Sequence, residues 1–302
     1  MSHSPYSTRH RLEVIQQEVT DRDWSILLSL QNCRYLTGQQ IFRLYFGAGA
    51  VNPAAALSAS YRCLNRLKDY GLIWALSRRI GGVRHGSGSY VWSLTSVGYR
   101  LLHLDKPDRF QQKNFREPSL QFLKHTLLIA EAYLQLTEIC ARHQMTLAHI
   151  RFEPDCWRRY AGKGGKSTVL KPDLYAVVQG GGYEDRWFFE IDCATETVAR
   201  ILDKCARYIG YLRTGAEQQQ AGVFPYVVWV VPDMKRKQSV AAHIRKALPQ
   251  GENVFISITP DELECLIVGG AAEYMHRSAA GGRHVILSLY FCSRASVCEP
   301  PA

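Results

Sequence analysis

The nearly continuous apolar run FPYVVWVVPD, residues 224–233, constrains the fold more than any other stretch of this sequence. A run without alternating polar residues is typical of a central strand that is buried on both faces of its sheet. Two shorter apolar runs, Leu174 to Val178 and Trp187 to Ile191, precede it and flank the predicted turn GGGYED. A helical pattern, TETVARILDKCARYIGYL, separates them from residue 224. The sequence therefore predicts an α/β domain in this region.

Three carboxylates lie at the ends of the two shorter strands. Asp173 precedes the first strand, and Glu190 and Asp192 lie near the end of the second. Antiparallel pairing brings these ends together, and alternation puts Glu190 and Asp192 on one face. Because grouped carboxylates repel one another, a hard cation such as Mg²⁺ or Mn²⁺ is the expected occupant of a site formed by all three. The alternative is a strand end followed by a helix cap.

The predicted helix that follows the strand Trp187 to Ile191 carries cationic and aromatic side chains at a spacing of four residues. We predict that it begins at a capping Thr195 and that Arg200, Lys204 and Tyr208 form one stripe. Lys204 lies about nine residues into this helix, or roughly 13 Å along its axis. It therefore reaches the carboxylates only if the helix folds back across the sheet.

The N-terminal third of the chain is basic. Residues 21–104 contain ten Lys/Arg and three Asp/Glu, a net charge of +7, and this excess favours a polyanionic partner such as nucleic acid. Two helices with N-caps at Thr20 and Thr37 are predicted, followed by a third, AAALSASYRCLNRLKDYG, that ends at Gly71. Two strands, LIWALSRR and YVWSLT, then flank a Gly-rich turn. Three helices and a hairpin predict a winged helix-turn-helix.

In a winged helix the third helix enters the major groove of double-stranded DNA, and the hairpin contacts the backbone or the minor groove. We expect Leu57, Tyr61, Leu64 and Leu67 to form the buried face of this helix. The DNA-binding candidates lie on its other face and on the hairpin: Arg62, Asn65, Arg66, Lys68, Arg78, Arg79 and Arg84. A winged helix that contacts protein is the alternative.

Composition predicts a cytoplasmic protein without structural zinc. No apolar run approaches the roughly 20 residues that span a bilayer, and the N-terminal residues lack the apolar core of a signal peptide. The nine cysteines contain no CxxC pair. We predict a DNA-binding domain at 20–104, a linker and connecting helix at 105–145, an α/β domain at 146–270, and a tail at 271–302 in which HVILSLYF is one possible strand.

The segments KPDLY, FFEIDCATE and KCARYIGYL, in this order, resemble the nuclease core of the PD-(D/E)XK class. The chain as a whole resembles the replication-relaxation family of plasmids and integrative elements over roughly residues 20–260. This resemblance implies a winged helix joined to a restriction-endonuclease-like, three-layer α/β domain, with Pro172-Asp173 as the PD element and Glu190 opening the second element. The motif lysine is replaced by Asp192, and Lys204 is the candidate that replaces it from the following helix.

The resemblance implies a DNA-binding protein that acts in replication, relaxation or mobilisation by nicking DNA with Mg²⁺ or Mn²⁺. Asp173, Glu190 and Asp192 would hold the ion, and Lys204 would stabilise charge on the phosphate. A homodimer and contacts with other mobilisation or replication proteins are further expectations. Two alternatives stay open: a covalent route through Tyr208 or Tyr211, and a non-catalytic DNA-binding regulator or accessory protein.

Overall fold

The protein contains helices and mixed β-sheets, which confirms the predicted α/β class. A computed structural model describes residues 9–80, 89–105, 117–249, 253–280 and 295–296. The chain divides into two compact units, residues 1–134 and 135–302. This boundary falls within the predicted connecting helix. No helix in the described part of the chain is long and apolar enough to cross a membrane.

The first unit combines helices with a small antiparallel sheet. Its helices are α1 (Arg9–Glu18), α2 (Asp21–Cys33), α3 (Gly38–Phe42), α4 (Pro53–Asp69) and α5 (Ser96–Leu102), and α3 continues into a π-helical segment, Arg43–Gly47. Its strands are β1 (Leu36–Thr37), β2 (Ile73–Ile80) and β3 (Ser89–Leu94), in the order β1-β3-β2. Helix α6 (Leu120–Arg142) supplies residues to both units.

Capping residues set the starts of α2, α3 and α4, and two of them, Thr20 and Thr37, were predicted from the sequence. Thr20 and Thr37 each form a capping box, with Asp23 and Gln40 as the respective partners. Helix α4 begins after Asn52, whose side chain accepts a hydrogen bond from the backbone of Ala55. The three predicted helices and the two strands of the hairpin are therefore present.

The second unit is organised around a mixed sheet. Its strands are β4 (Thr146–Phe152), β5 (Arg158–Ala161), β6 (Ser167–Leu170), β7 (Leu174–Gly180), β8 (Tyr183–Ile191), β9 (Tyr226–Val230) and β10 (Phe255–Ile258). A short strand, β11 (Ala295–Ser296), pairs with β8. The helices are α7 (Val198–Leu212), α8 (Ala216–Ala221), α9 (Met234–Ala247) and α10 (Leu263–Ala280).

The main path of the sheet has the order β10-β9-β8-β7-β4, and β5 and β6 pair separately as a hairpin. Strands β8, β9 and β10 run parallel, whereas β7 is antiparallel to both β8 and β4. All five residues of β9 are buried, which confirms the prediction from the apolar run. Side chains of α7 and α9 pack on one face of the sheet against Val177, Phe188 and Trp229.

The hairpin between β7 and β8 is tighter than predicted. Gly180 pairs with Tyr183, so only Gly181 and Gly182 form the turn, and both have positive φ. Two such residues are what a type I′ turn requires, and its twist matches that of the strands. Strand β8 therefore begins at Tyr183 rather than at Trp187. The predicted tail strand HVILSLYF lies outside the described residues.

Candidate functional site

The chain reverses direction between β8 and α7. Ala194 has a positive φ, and its backbone N–H donates to Asp192 Oδ1 at 2.9 Å. Thr197 then caps α7 by accepting a hydrogen bond from the backbone N–H of Arg200. The helix starts at Val198, and the predicted start at Thr195 is wrong because this reversal occupies the residues before Thr197. The reversal returns α7 across the sheet.

This return brings Lys204 to two of the predicted carboxylates. Lys204 Nζ donates to Glu190 Oε2 and lies 3.9 Å from Asp173 Oδ1. One turn later on α7, the Tyr208 hydroxyl donates to Glu190 Oε1 at 2.5 Å. The backbone N–H of Ile191 donates to Asp173 Oδ2 at 2.7 Å. Asp173, Glu190 and Lys204 therefore form one cluster, which we call the acidic site.

Burial dominates the electrostatics of the acidic site. Glu190 is fully buried, and burial raises its pKa to about 8 although Lys204 lowers it. Burial by itself would lower the pKa of Lys204, but the carboxylates of Glu190 and Asp173 raise it above its ordinary value. About 26% of the Lys204 side chain remains exposed. Lys204 is thus the part of the acidic site through which solvent has access.

Asp192 has a different partner from the other two carboxylates. Arg236, in the first turn of α9, donates from Nε to Asp192 Oδ2 at 2.5 Å. The same guanidinium donates to the Glu196 carbonyl at 2.7 Å. Among the described residues, no group of three or more His, Cys, Asp or Glu side chains is arranged to hold a metal ion. The carboxylates next to Lys204 are Asp173 and Glu190, whereas Asp192 pairs with Arg236.

The predicted stripe on α7 changes from exposed to buried along the helix. Arg200 is exposed and Lys204 is partly buried, whereas Tyr208 is fully buried against the ring of Phe188, with 5.7 Å between ring centroids. Lys204 and Tyr208 still share one face of α7, since both donate to Glu190. Tyr211 is also buried, and its hydroxyl donates to Glu217 at 2.8 Å. Both tyrosine hydroxyls are therefore engaged inside the unit, which disfavours the covalent route.

In the first unit, α4 presents a different face from the one predicted. Leu57 and Tyr61 are 41% and 58% exposed, so their predicted place in the core is wrong. The buried face of α4 consists of Ser60, Cys63, Leu64 and Leu67. The predicted DNA-binding residues Arg62, Asn65, Arg66 and Lys68 are exposed.

A buried polar contact with α2 determines which face of α4 is buried. Asp23 is almost completely buried and accepts hydrogen bonds from Cys63 Sγ at 3.1 Å and from Arg66 at 2.5 Å. Burial would raise the pKa of Asp23, but these bonds and those from Thr20 lower it below its ordinary value. Cys63 must face α2 to make this contact. Arg66 therefore has a structural partner as well as an exposed position.

Comparison with known proteins adds one finding to this geometry. A family model described as Replication-relaxation matches residues 27–227, which is more than half of the 302 residues. The chain belongs to the replication-relaxation family. Membership indicates involvement in plasmid replication or relaxation. No curated protein and no solved structure matches the chain. The match includes α4 and all three residues of the acidic site.

Part of the predicted DNA-binding set of this replication-relaxation protein lies beyond what the structure describes. The Gly-rich turn at residues 81–88, which contains Arg84, lies outside the described residues. Arg78 and Arg79 belong to β2, but their side chains are likewise outside the description. Their contribution to DNA binding stays a prediction.

Proposed function

We propose that this replication-relaxation protein binds double-stranded DNA through its first unit and nicks one strand at the acidic site of the second. The observation that carries the proposal is Lys204, which α7 holds against Glu190 and beside Asp173. Two carboxylates and one lysine are the set that a PD-(D/E)XK nuclease site requires. Here the neighbouring helix supplies the lysine that the strand lacks.

The acidic site fits Mg²⁺ or Mn²⁺ in the chemistry of its donors. Mg²⁺ in phosphate-processing sites is usually held by one or two carboxylates, with substrate phosphate and waters as the other ligands. Asp173 and Glu190 are both buried and supply oxygen donors only. When bound, the ion would polarise the scissile phosphate and lower the pKa of the attacking water. Asp192 is left out of this set because Arg236 binds it.

The chain's own residues have separate tasks in this proposal. Tyr208 and the backbone of Ile191 hold the carboxylates of Glu190 and Asp173 in place. Lys204 has its ammonium group beside both carboxylates and part of its side chain in solvent. A cation there stabilises the negative charge that develops on the transferred phosphoryl group. Lys204 is the residue that links substrate to the carboxylates.

The metal part of the proposal predicts that Asp173→Asn abolishes Mg²⁺ or Mn²⁺ binding. Asparagine can still accept the hydrogen bond from Ile191, so the strand end should keep its geometry while the ligand charge is lost. Isothermal titration calorimetry of the full chain measures this loss. Asp203→Asn, an exposed carboxylate on α7, is the matched control and should bind the ion as the wild type does. Equal binding by the Asp173 variant would remove Asp173 from the metal site.

DNA binding is supported by the order of elements and the charge of the first unit. The succession α2, β1, α3, α4, β2, β3 matches the order expected for a winged helix, in which α4 would enter the major groove. The exposed face of α4 carries Arg62, Asn65 and Lys68. Tyr61 and Leu57 lie on that face too and offer apolar contacts. Such a surface suits duplex DNA, where cations contact phosphates and apolar groups contact bases.

Arg62→Ala is expected to weaken DNA binding and to reduce its dependence on salt. The slope of the logarithm of the binding constant against the logarithm of the salt concentration should become smaller in magnitude by about 1. Arg62 is chosen over Arg66 because Arg66 also pairs with the buried Asp23, so its removal would change stability as well. Fluorescence anisotropy at several salt concentrations gives the slope. Lys124→Ala, an exposed lysine of α6, is the control. If Arg62→Ala and Lys124→Ala give the same slope, α4 is not the DNA-contacting helix.

A second function is favoured by Asp192. The position of the motif lysine holds an aspartate that is bound to Arg236, an arrangement that fixes the turn before α7 and supplies no cation to the acidic site. A protein of this kind would be a DNA-binding accessory protein or regulator without cleavage activity. The two functions differ in one outcome only, which is strand cleavage.

A further inference from the structure

The segment from residue 156 to residue 172 is strongly basic and lies outside the acidic site. It contains five Lys/Arg and no Asp/Glu: Arg158, Arg159, Lys163, Lys166 and Lys171. The segment forms the β5–β6 hairpin, and Arg158 of β5 pairs with Leu170 of β6 in register. Exposed basic side chains on a hairpin can contact an external polyanion.

Arg158 is the cation of this hairpin that has an acidic partner inside the unit. Arg158 donates from Nε to Glu217 at 2.5 Å and lies over the rings of Tyr175 and Phe188. Arg159, the next residue on β5, points the opposite way and is exposed, as strand alternation requires. Lys166 and Lys171 are exposed as well, and Lys171 Nζ lies 4.3 Å from the centroid of the Trp157 ring. Arg159 and Lys171 therefore share the outer face of the hairpin, opposite Arg158, and Lys166 is exposed at the end of the hairpin next to its turn.

The hairpin is fixed beside the acidic site. The Tyr160 hydroxyl donates to the carbonyl of Arg207 on α7 at 3.1 Å, and its ring lies 5.4 Å from the Tyr211 ring. At the base of the hairpin, Cys156 Sγ donates to the carbonyl of Pro172 at 3.0 Å. Pro172 directly precedes Asp173, and α7 carries Lys204. The hairpin is thus attached to two of the three elements that build the acidic site, the start of β7 and α7.

We propose that the exposed basic side chains of the β5–β6 hairpin, Arg159, Lys166 and Lys171, bind the phosphodiester backbone of DNA and hold it next to Asp173 and Lys204. Lys166 and Lys171 are five residues apart, or about 17 Å along an extended chain. This length corresponds to about five nucleotides of one strand at 3.4 Å each. Lysine and arginine side chains of this kind contact phosphates without reading sequence. The inference rests on the proposed function, because it takes DNA as the ligand of the acidic site.

The test compares two triple variants of the full chain that lose the same charge. One carries Arg159→Ala, Lys166→Ala and Lys171→Ala, and the control carries Lys235→Ala, Arg245→Ala and Lys246→Ala, all exposed on α9. Each loses one arginine and two lysines from the second unit. Fluorescence anisotropy with a DNA duplex at several salt concentrations gives the affinity and its salt slope for each. Circular dichroism checks that both variants fold.

We expect the hairpin variant to bind DNA more weakly, with a salt slope smaller by about 2.7, or about 0.9 for each lost phosphate contact. The control should keep the wild-type slope. Equal slopes for both variants would overturn the hairpin as a DNA contact. If Arg62→Ala weakens binding in the same assay and the hairpin variant does not, this inference fails alone. If the wild-type chain binds no duplex, the inference and the proposed DNA-binding function fail together.

Discussion

Lys204→Met is expected to slow Mg²⁺-dependent plasmid nicking by at least about 100-fold while DNA affinity stays the same. Removing one preorganised group that stabilises a developing anion typically costs a factor of about 10²–10³ in rate. Methionine keeps the length and the apolar stem of lysine but removes the ammonium group that contacts Glu190 and faces Asp173. The rate of conversion from supercoiled to open-circular plasmid measures the effect.

Two features make this variant interpretable. Glu190 loses its cationic partner, but burial already raises its pKa to about 8, so at neutral pH it can take up a proton instead of remaining as an unpaired buried charge. The fold should therefore survive, and a thermal melt checks this. Lys246→Met, an exposed lysine of α9, is the matched control and should nick at the wild-type rate. If Lys204→Met nicks as fast as the control, Lys204 has no role in cleavage.

Glu217→Ala is expected to destabilise the second unit by about 3–5 kcal/mol. Glu217 and Arg158 form a buried ion pair, with side-chain exposures of 3% and 15%, and the Tyr211 hydroxyl donates to the same carboxylate oxygen. Removing one member of a buried pair leaves the other as an uncompensated charge, and such changes typically cost about 3–5 kcal/mol. Here the remaining charge is the Arg158 guanidinium, enclosed by Tyr175 and Phe188.

Urea unfolding followed by circular dichroism measures this loss. Asp203→Ala removes the acid of an exposed pair with Arg207 on α7 and should change the free energy of unfolding by less than about 1 kcal/mol. The double variant Arg158→Met with Glu217→Leu should recover much of the loss, because apolar replacements of a whole buried pair are often neutral. A Glu217→Ala protein as stable as Asp203→Ala would show that the buried pair does not support the unit.

Sequence periodicity predicted the sheet around the acidic site well. The apolar run that forms β9 is typical of a strand that is buried on both faces. The predicted antiparallel pairing correctly put Glu190 of β8 beside the start of β7. The capping threonines Thr20 and Thr37 were equally clear, since each has a partner side chain three residues later. These patterns involve residues that are close in sequence, so they can be recognised without knowledge of the tertiary structure.

Contacts between elements distant in sequence were not predictable in the same way. On α4, a stripe through Leu57 and Tyr61 and a stripe through Ser60 and Cys63 both have helical spacing. The choice between them depends on the buried carboxylate of Asp23, 40 residues away from Cys63. Likewise, the pairing of Asp192 with Arg236 spans 44 residues and has no local signal. Only the assembled fold shows these partners.

Incubation of supercoiled plasmid with the purified full chain tests most directly whether the acidic site cuts DNA. With Mg²⁺ or Mn²⁺ present, we predict that wild-type protein converts the plasmid to the open-circular form, and that EDTA or the Glu190→Gln substitution prevents this conversion. The glutamine carbonyl oxygen can accept from Lys204 while its NH2 group donates to the Tyr208 hydroxyl oxygen, so this variant removes the ionisable carboxyl without emptying the position. Plasmid that stays supercoiled with wild-type protein that binds DNA would contradict the nuclease proposal and favour the non-catalytic regulator.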